Sequence, residues 1–96
     1  MGRDDVIRMI GAHQAEIRQF GVRSLALFGS VARDDARPDS DVDLLVEFYG
    51  PTTSDGYMGL KFFLEDLLNR RVDLVTQRAL RPALRSYVER DLVRVA

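Results

Sequence analysis

Apolar residues recur along the chain with two different periods. Over the first twenty positions they fall at Val6, Ile10, Ile17 and Phe20, with His13 filling the gap in the stripe. Steps of three and four place them on one face of a helix. Asp4 or Asp5 suits its N-cap, and Gly21 suits a left-handed residue at its end. The spacing therefore predicts one helix running to about Phe20. Leu25-Ala26-Leu27-Phe28 follows, too short for a helix and read as a strand buried on both faces. Gly29-Ser30 breaks it, and Val31 to about Asp35 is expected to leave that turn as a short helix. Pro38-Asp39-Ser40 marks a loop. Alternation then runs from Asp41 to about Phe48. It sends Val42, Leu44, Val46 and Phe48 to one face and Asp41, Asp43, Leu45 and Glu47 to the other.

Two glycines and a proline make Gly50–Gly56 a loop. Leu60, Phe63, Leu64, Leu67 and Leu68 line one side of a helix from about Tyr57 to Asn69. A further strand is expected over Arg71–Thr76. Pro82 suits the first turn of a last helix, with Leu84, Val88 and Leu92 or Tyr87 inward. The order is helix, strand, short helix, strand, helix, strand, helix. It predicts one domain over residues 1–96, with a small sheet in a two- or three-layer arrangement.

Composition narrows the chemistry. The chain has no cysteine, which removes disulfides, thiolate metal sites and thiol nucleophiles. His13 is the one histidine. It excludes multi-histidine metal centres, and its place in the helical stripe reads as packing. The net charge of −1 provides no general attraction to nucleic acid or to an anionic membrane. No run of about 18 apolar residues exists and no secretory core follows Met1-Gly2-Arg3-Asp4-Asp5, so a cytoplasmic location is expected. All basic residues but Lys61 are arginine. A GC-rich genome explains that bias most simply; forked recognition of phosphate is the sharper reading.

The informative positions are aspartates where strands disfavour them. Asp41 and Asp43 share a strand face about 6–7 Å apart along the chain. Asp43 stands inside Val42-Asp43-Leu44-Leu45-Val46, where a charge is disfavoured unless it is paired or coordinated. Asp73 repeats the anomaly in Val72-Asp73-Leu74-Val75. If the two strands are neighbours, three carboxylates gather on one face, as a two-metal site needs. The alternatives are a turn role for Asp41 and a salt bridge from Asp73 to Arg70 or Arg71. Gly29 lets a backbone approach a phosphate closely. Ser30 offers a hydroxyl at a helix start, and Arg33 a charged fork. By itself this is also an ordinary strand-to-helix turn. Glu47 lies further along the aspartate face and is expected to be solvated or salt-bridged.

Taken together, Gly29-Ser30-Val31-Ala32-Arg33 and Ser40-Asp41-Val42-Asp43-Leu44-Leu45-Val46, with Asp73 beyond, resemble the polymerase-β-like nucleotidyltransferase superfamily. Within it the chain is most similar to the minimal nucleotidyltransferases, over nearly its whole length. The resemblance implies an α+β fold, a three-stranded mixed sheet flanked by helices and carrying ATP and Mg²⁺. Asp41 and Asp43 match the metal-binding pair. Asp73 matches the third carboxylate, which holds a second ion and helps activate the incoming hydroxyl. Gly29 and Ser30 match the turn that grips the triphosphate, with Arg33 as a phosphate contact. The family pattern often has glycine where this chain has Asp34, and Asp35 adds another negative charge beside the turn. Relatives of this size act as antitoxins beside a HEPN-domain ribonuclease toxin, and some adenylylate a tyrosine on it. A hetero-complex with such a toxin is therefore the expected partnership. The rival class is a module that binds nucleotide but neutralises its partner by contact alone. A small metal-dependent nuclease would share the carboxylates but leaves the Gly-Ser turn unexplained.

Overall fold

In a computed structural model the chain is described over residues 2–96. Helices α1 (Arg3–Gly11) and α2 (Gln14–Arg18) precede strand β1 (Val22–Phe28) and the single turn α3 (Gly29–Ala32). Strand β2 (Val42–Phe48), helix α4 (Ser54–Leu68), strand β3 (Val72–Thr76), helix α5 (Pro82–Asp91) and strand β4 (Val93–Arg94) complete it. The sheet order is β3-β2-β1-β4. β1 is antiparallel to both β2 and β4, while β2 and β3 are parallel. A parallel neighbour needs a crossover, and α4 provides it.

One face of the sheet carries most of the core. Leu25, Leu27, Val42, Leu44, Val46, Val72 and Leu74 pack there with Val6, Ile10 and Ile17 and with Leu60, Leu64 and Leu68 of α4. The other face is covered only in part. There Leu45 and Val75 meet Leu80 and Val88, the latter from α5. Asp43 and Asp73 lie on this second face, one pleat from Leu45 and Val75. Uncovered sheet is where a strand aspartate costs least.

Several expectations are corrected. The N-terminal helix is two helices, because Gly11 is a poor helix residue and His13 leaves helical geometry at φ −122° and ψ 27°. His13 Nδ1 donates to Met9 O at 2.9 Å and its ring packs edge-on against Phe63, which is a packing role. Gly21 is left-handed as expected, at φ 82°. The sheet has four strands rather than three. Val93–Arg94 is too short to show a period in sequence and is a strand only because it pairs with Ala26 and Leu27. Helix α4 begins a turn earlier than Tyr57, since Thr53 caps it by accepting from Gly56 N at 3.0 Å. On α5 only Val88 is buried; Leu84 and Tyr87 are 51% and 64% exposed and Leu92 lies largely outside the core.

The outer edge of β3 is held by α4. Tyr57 Oη donates to Leu74 O, and Glu65 accepts from Val72 N at 3.0 Å. Two edge groups that would otherwise face solvent or another chain are satisfied this way. They fix the strand that carries Asp73.

Candidate active site

The pairing of β2 with β3 decides the site. Asp43 is the register partner of Asp73, so their side chains leave the same face of adjacent strands. Asp43 is also the register partner of Phe28, the last residue of β1, and Gly29 follows immediately. Gly29 has φ 76°, a left-handed conformation that only glycine adopts without strain. A Cβ added there would overlap Asp43 Oδ2 and lie 3.0 Å from Asp43 Cγ. The chain turns out of β1 directly against the Asp43 carboxylate, and Ser30 comes next.

Asp43 is half-buried, while Asp41 and Asp73 are exposed. Its carboxyl is pushed up to about 6, chiefly by burial and then by the negative charges of Asp73 and Asp41, with Arg33 opposing. Ionising it in this setting places negative charge beside two other carboxylates, which Arg33 offsets only in part. Neither Arg70 nor Arg71 pairs with Asp73. Arg70 donates instead to the carbonyls of Pro38 and Arg37, and Arg71 meets Asp41 at 3.4 Å. Asp41 stands just before β2, on the Asp43 face, with its carboxylate drawn to Arg71.

Among the described residues no three acidic or histidine side chains already converge as a ready-made cation cage. Magnesium keeps several waters and is held by one or two carboxylates together with substrate phosphates. The donor set is hard carboxylate oxygen, and Asp43 carries the uncompensated charge a cation would relieve. The residues fit the group.

Arg33 follows α3 and is claimed by two carboxylates. Its Nη1 donates to Asp91 Oδ2 at 3.0 Å and its Nε to Asp35 Oδ2 at 3.3 Å. Both push its pKa further up, Asp91 first. Asp35 therefore sits on Arg33. Asp34, at φ 61°, accepts from Arg3 N at 3.2 Å and ties the start of α1 to this corner. The expected helix to Asp35 is one turn ending at Ala32. A helix dipole that short adds little, which leaves the close approach at Gly29, the Ser30 hydroxyl and the Arg33 guanidinium as the features of this turn that a phosphate could use.

A groove of about 510 Å³ opens between this turn and α5, lined by Phe28, Gly29, Arg33, Leu84, Tyr87 and Asp91 among others. A depression of about 400 Å³ lies at the opposite end of the sheet, beside Glu47, Thr76 and Arg78, and holds none of the three aspartates. There Glu47 pairs with Arg23 at 3.3 Å, as expected of a salt-bridged group. Asp91 escaped the sequence reading. It sits 58 residues from Arg33, and no local pattern marks it.

The chain belongs to the nucleotidyltransferase domain family, whose sequence pattern matches residues 13–95, and it is a transferase by that membership. It is 39% identical over 93 residues to protein adenylyltransferase MntA of Thermococcus cleftensis, across 96% of this chain and 94% of that one. A solved candidate minimal nucleotidyltransferase is 40% identical and superposes with a TM-score of 0.84, covering 97% of this chain and 95% of that one. A complex described as a tri-AMPylated HEPN toxin of Shewanella oneidensis with its MNT antitoxin superposes at 0.67, over 94% of this chain and 71% of that one. Its 19% identity makes that last likeness one of fold alone. Among the described residues no helix is long and apolar enough to cross a membrane.

Proposed function

We propose that the chain transfers AMP from ATP to a hydroxyl on a partner protein, as the antitoxin of a pair whose toxin is a HEPN-type ribonuclease. The observation that carries the chemistry is the register match of Asp43 with Asp73 against the Gly29 turn. The adenylyltransferase name of the Thermococcus relative supports the reaction, and the AMPylated toxin complex supports the partner class.

Asp41 and Asp43 would hold a first magnesium ion, and Asp73 would contribute to a second. When bound, such ions neutralise charge on phosphate oxygens and orient the attacking and leaving groups. Gly29 and Ser30 hold the triphosphate against the end of β1, and Arg33 adds a cation there. The acceptor oxygen attacks the α-phosphorus in line. The new bond is from that oxygen to phosphorus, the bond to the β-bridging oxygen breaks, and pyrophosphate leaves. Asp73, exposed on its strand, takes the hydroxyl proton. No cysteine or histidine is needed. Asp41 and Asp73 are exposed on a sheet face that is only partly covered among the described residues, which suits an acceptor presented by a docked protein rather than held in an enclosed pocket.

The test is incubation with ATP labelled at the α-phosphate, Mg²⁺ and a HEPN-type partner. Label is expected on a tyrosine of the partner, with loss of its ribonuclease activity. Inhibition of the partner without any transfer of label would overturn the enzymatic reading and leave neutralisation by contact.

A further inference from the structure

We infer that Asp91 is a positioning residue that orders Arg33 for the nucleotide's phosphates, which deepens the proposed function and rests on it. Arg33 is 47% exposed, and an exposed arginine ordinarily samples many rotamers. Here two carboxylates fix it from different elements. Asp35, two residues on, takes Nε, and Asp91, from the far end of α5, takes Nη1. The Asp91 side chain is only 18% exposed, so it is itself held. Val88, one turn earlier on α5, is anchored beside Leu45 and Leu80, and Val93 just beyond pairs with Leu27 of β1.

A guanidinium has five donors in a planar fork. With Nε and Nη1 engaged, Nη2 keeps both of its hydrogens without a partner among the described residues. Arg33 lines the groove that reaches Gly29, and its charge is felt at Asp43. The arrangement offers a phosphate one open edge of a pre-oriented cation. Ordering a long side chain beforehand removes that cost from binding, worth about twofold to tenfold in affinity. Without Asp91 the guanidinium keeps only its neighbour Asp35 and regains its freedom.

The measurement is equilibrium binding of ATP, and of adenosine as control, to the purified full chain by calorimetry. Asp91→Asn keeps the shape and removes the charge. It is expected to weaken ATP about twofold to tenfold while leaving adenosine unchanged, and Asp91→Glu is expected to recover most of the loss. In an Arg33→Gln background Asp91→Asn is expected to add nothing. ATP bound as tightly or more tightly by Asp91→Asn would overturn the inference and make Asp91 a competitor of the phosphates. Equal losses for ATP and adenosine, or additive losses with Arg33→Gln, would also overturn it, reducing Asp91 to a fold contact. A wild-type chain that binds no ATP would sink the nucleotide reading and this inference with it. An unchanged Asp91→Asn beside an ATP-binding wild type sinks the inference alone.

Discussion

Asp43 and Asp73 face each other across a parallel strand pair, and the half-buried Asp43 carboxyl is raised from 3.8 to about 6. A raised acid binds its proton more tightly in the folded chain than in the unfolded one. Without metal, stability therefore falls as pH rises from 3.8 through about 6, and the ionised group stays destabilising above that. Asp43→Asn removes the charge. In EDTA at about pH 7.5 the variant is expected to melt higher than wild type. Solvent screening of a half-exposed group keeps the gain small; even about 0.5 kcal/mol moves Tm by about 2–4 °C in a domain this size. The difference is expected to vanish below 3.8, where both states are protonated. Thermal melts across that pH range check it, and a variant that melts lower at neutral pH would contradict it.

The same substitution, and Asp41→Asn, are expected to cost AMP transfer about a hundredfold or more, since loss of a partner one shell further out already costs about tenfold to a hundredfold. Far-ultraviolet circular dichroism is expected to stay unchanged for both. Label transfer that persists in the double variant would show that these carboxylates do not hold the metal.

Gly29→Ala combines two penalties, a left-handed backbone and a methyl group driven into Asp43. Backbone strain of this kind costs about 1–3 kcal/mol. Urea unfolding is expected to show a loss of at least that size, and in an Asp43→Ala background, measured against Asp43→Ala alone, Gly29→Ala is expected to cost only the backbone part. No loss in that background would mean that the left-handed conformation itself costs nothing.

Leu64 and Leu84 separate core from surface. Leu64 is fully buried among α1, α4 and the sheet, and Leu64→Ala is expected to cost about 2–5 kcal/mol. Leu84 is 51% exposed, so Leu84→Ala is expected to change stability by no more than about 0.5 kcal/mol. Equal losses in urea unfolding would place Leu84 back in the core, as its helical spacing alone suggested.

The elements with a sustained period were legible. Val42, Leu44 and Val46 alternate cleanly and all three are fully buried; Leu60, Leu64 and Leu68 follow a helix repeat and do the same. Asp43 and Asp73 stood out because each interrupts such a run. Where no period exists, pattern fails. β4 is two residues long and owes its existence to the edge of β1, and the break after α1 turns on Gly11, a residue whose effect depends on its neighbours. Leu84 and Tyr87 have the spacing of a buried stripe but lie over a face that α5 covers only near Val88.

Sequence by itself determined the residue types and their local order: a glycine turn after a strand, aspartates set into apolar strands, an arginine three residues beyond a serine. Those follow from periodicity and from the cost of placing charge among apolar neighbours, which are local quantities. Tertiary structure alone decided which groups meet. The parallel register brings Asp73 beside Asp43, Arg71 pairs with Asp41 rather than with Asp73, and the end of α5 carries Asp91 across 58 residues to Arg33. Such contacts arise from strand order and from how a helix docks on a sheet, and they leave no trace in the spacing of either partner.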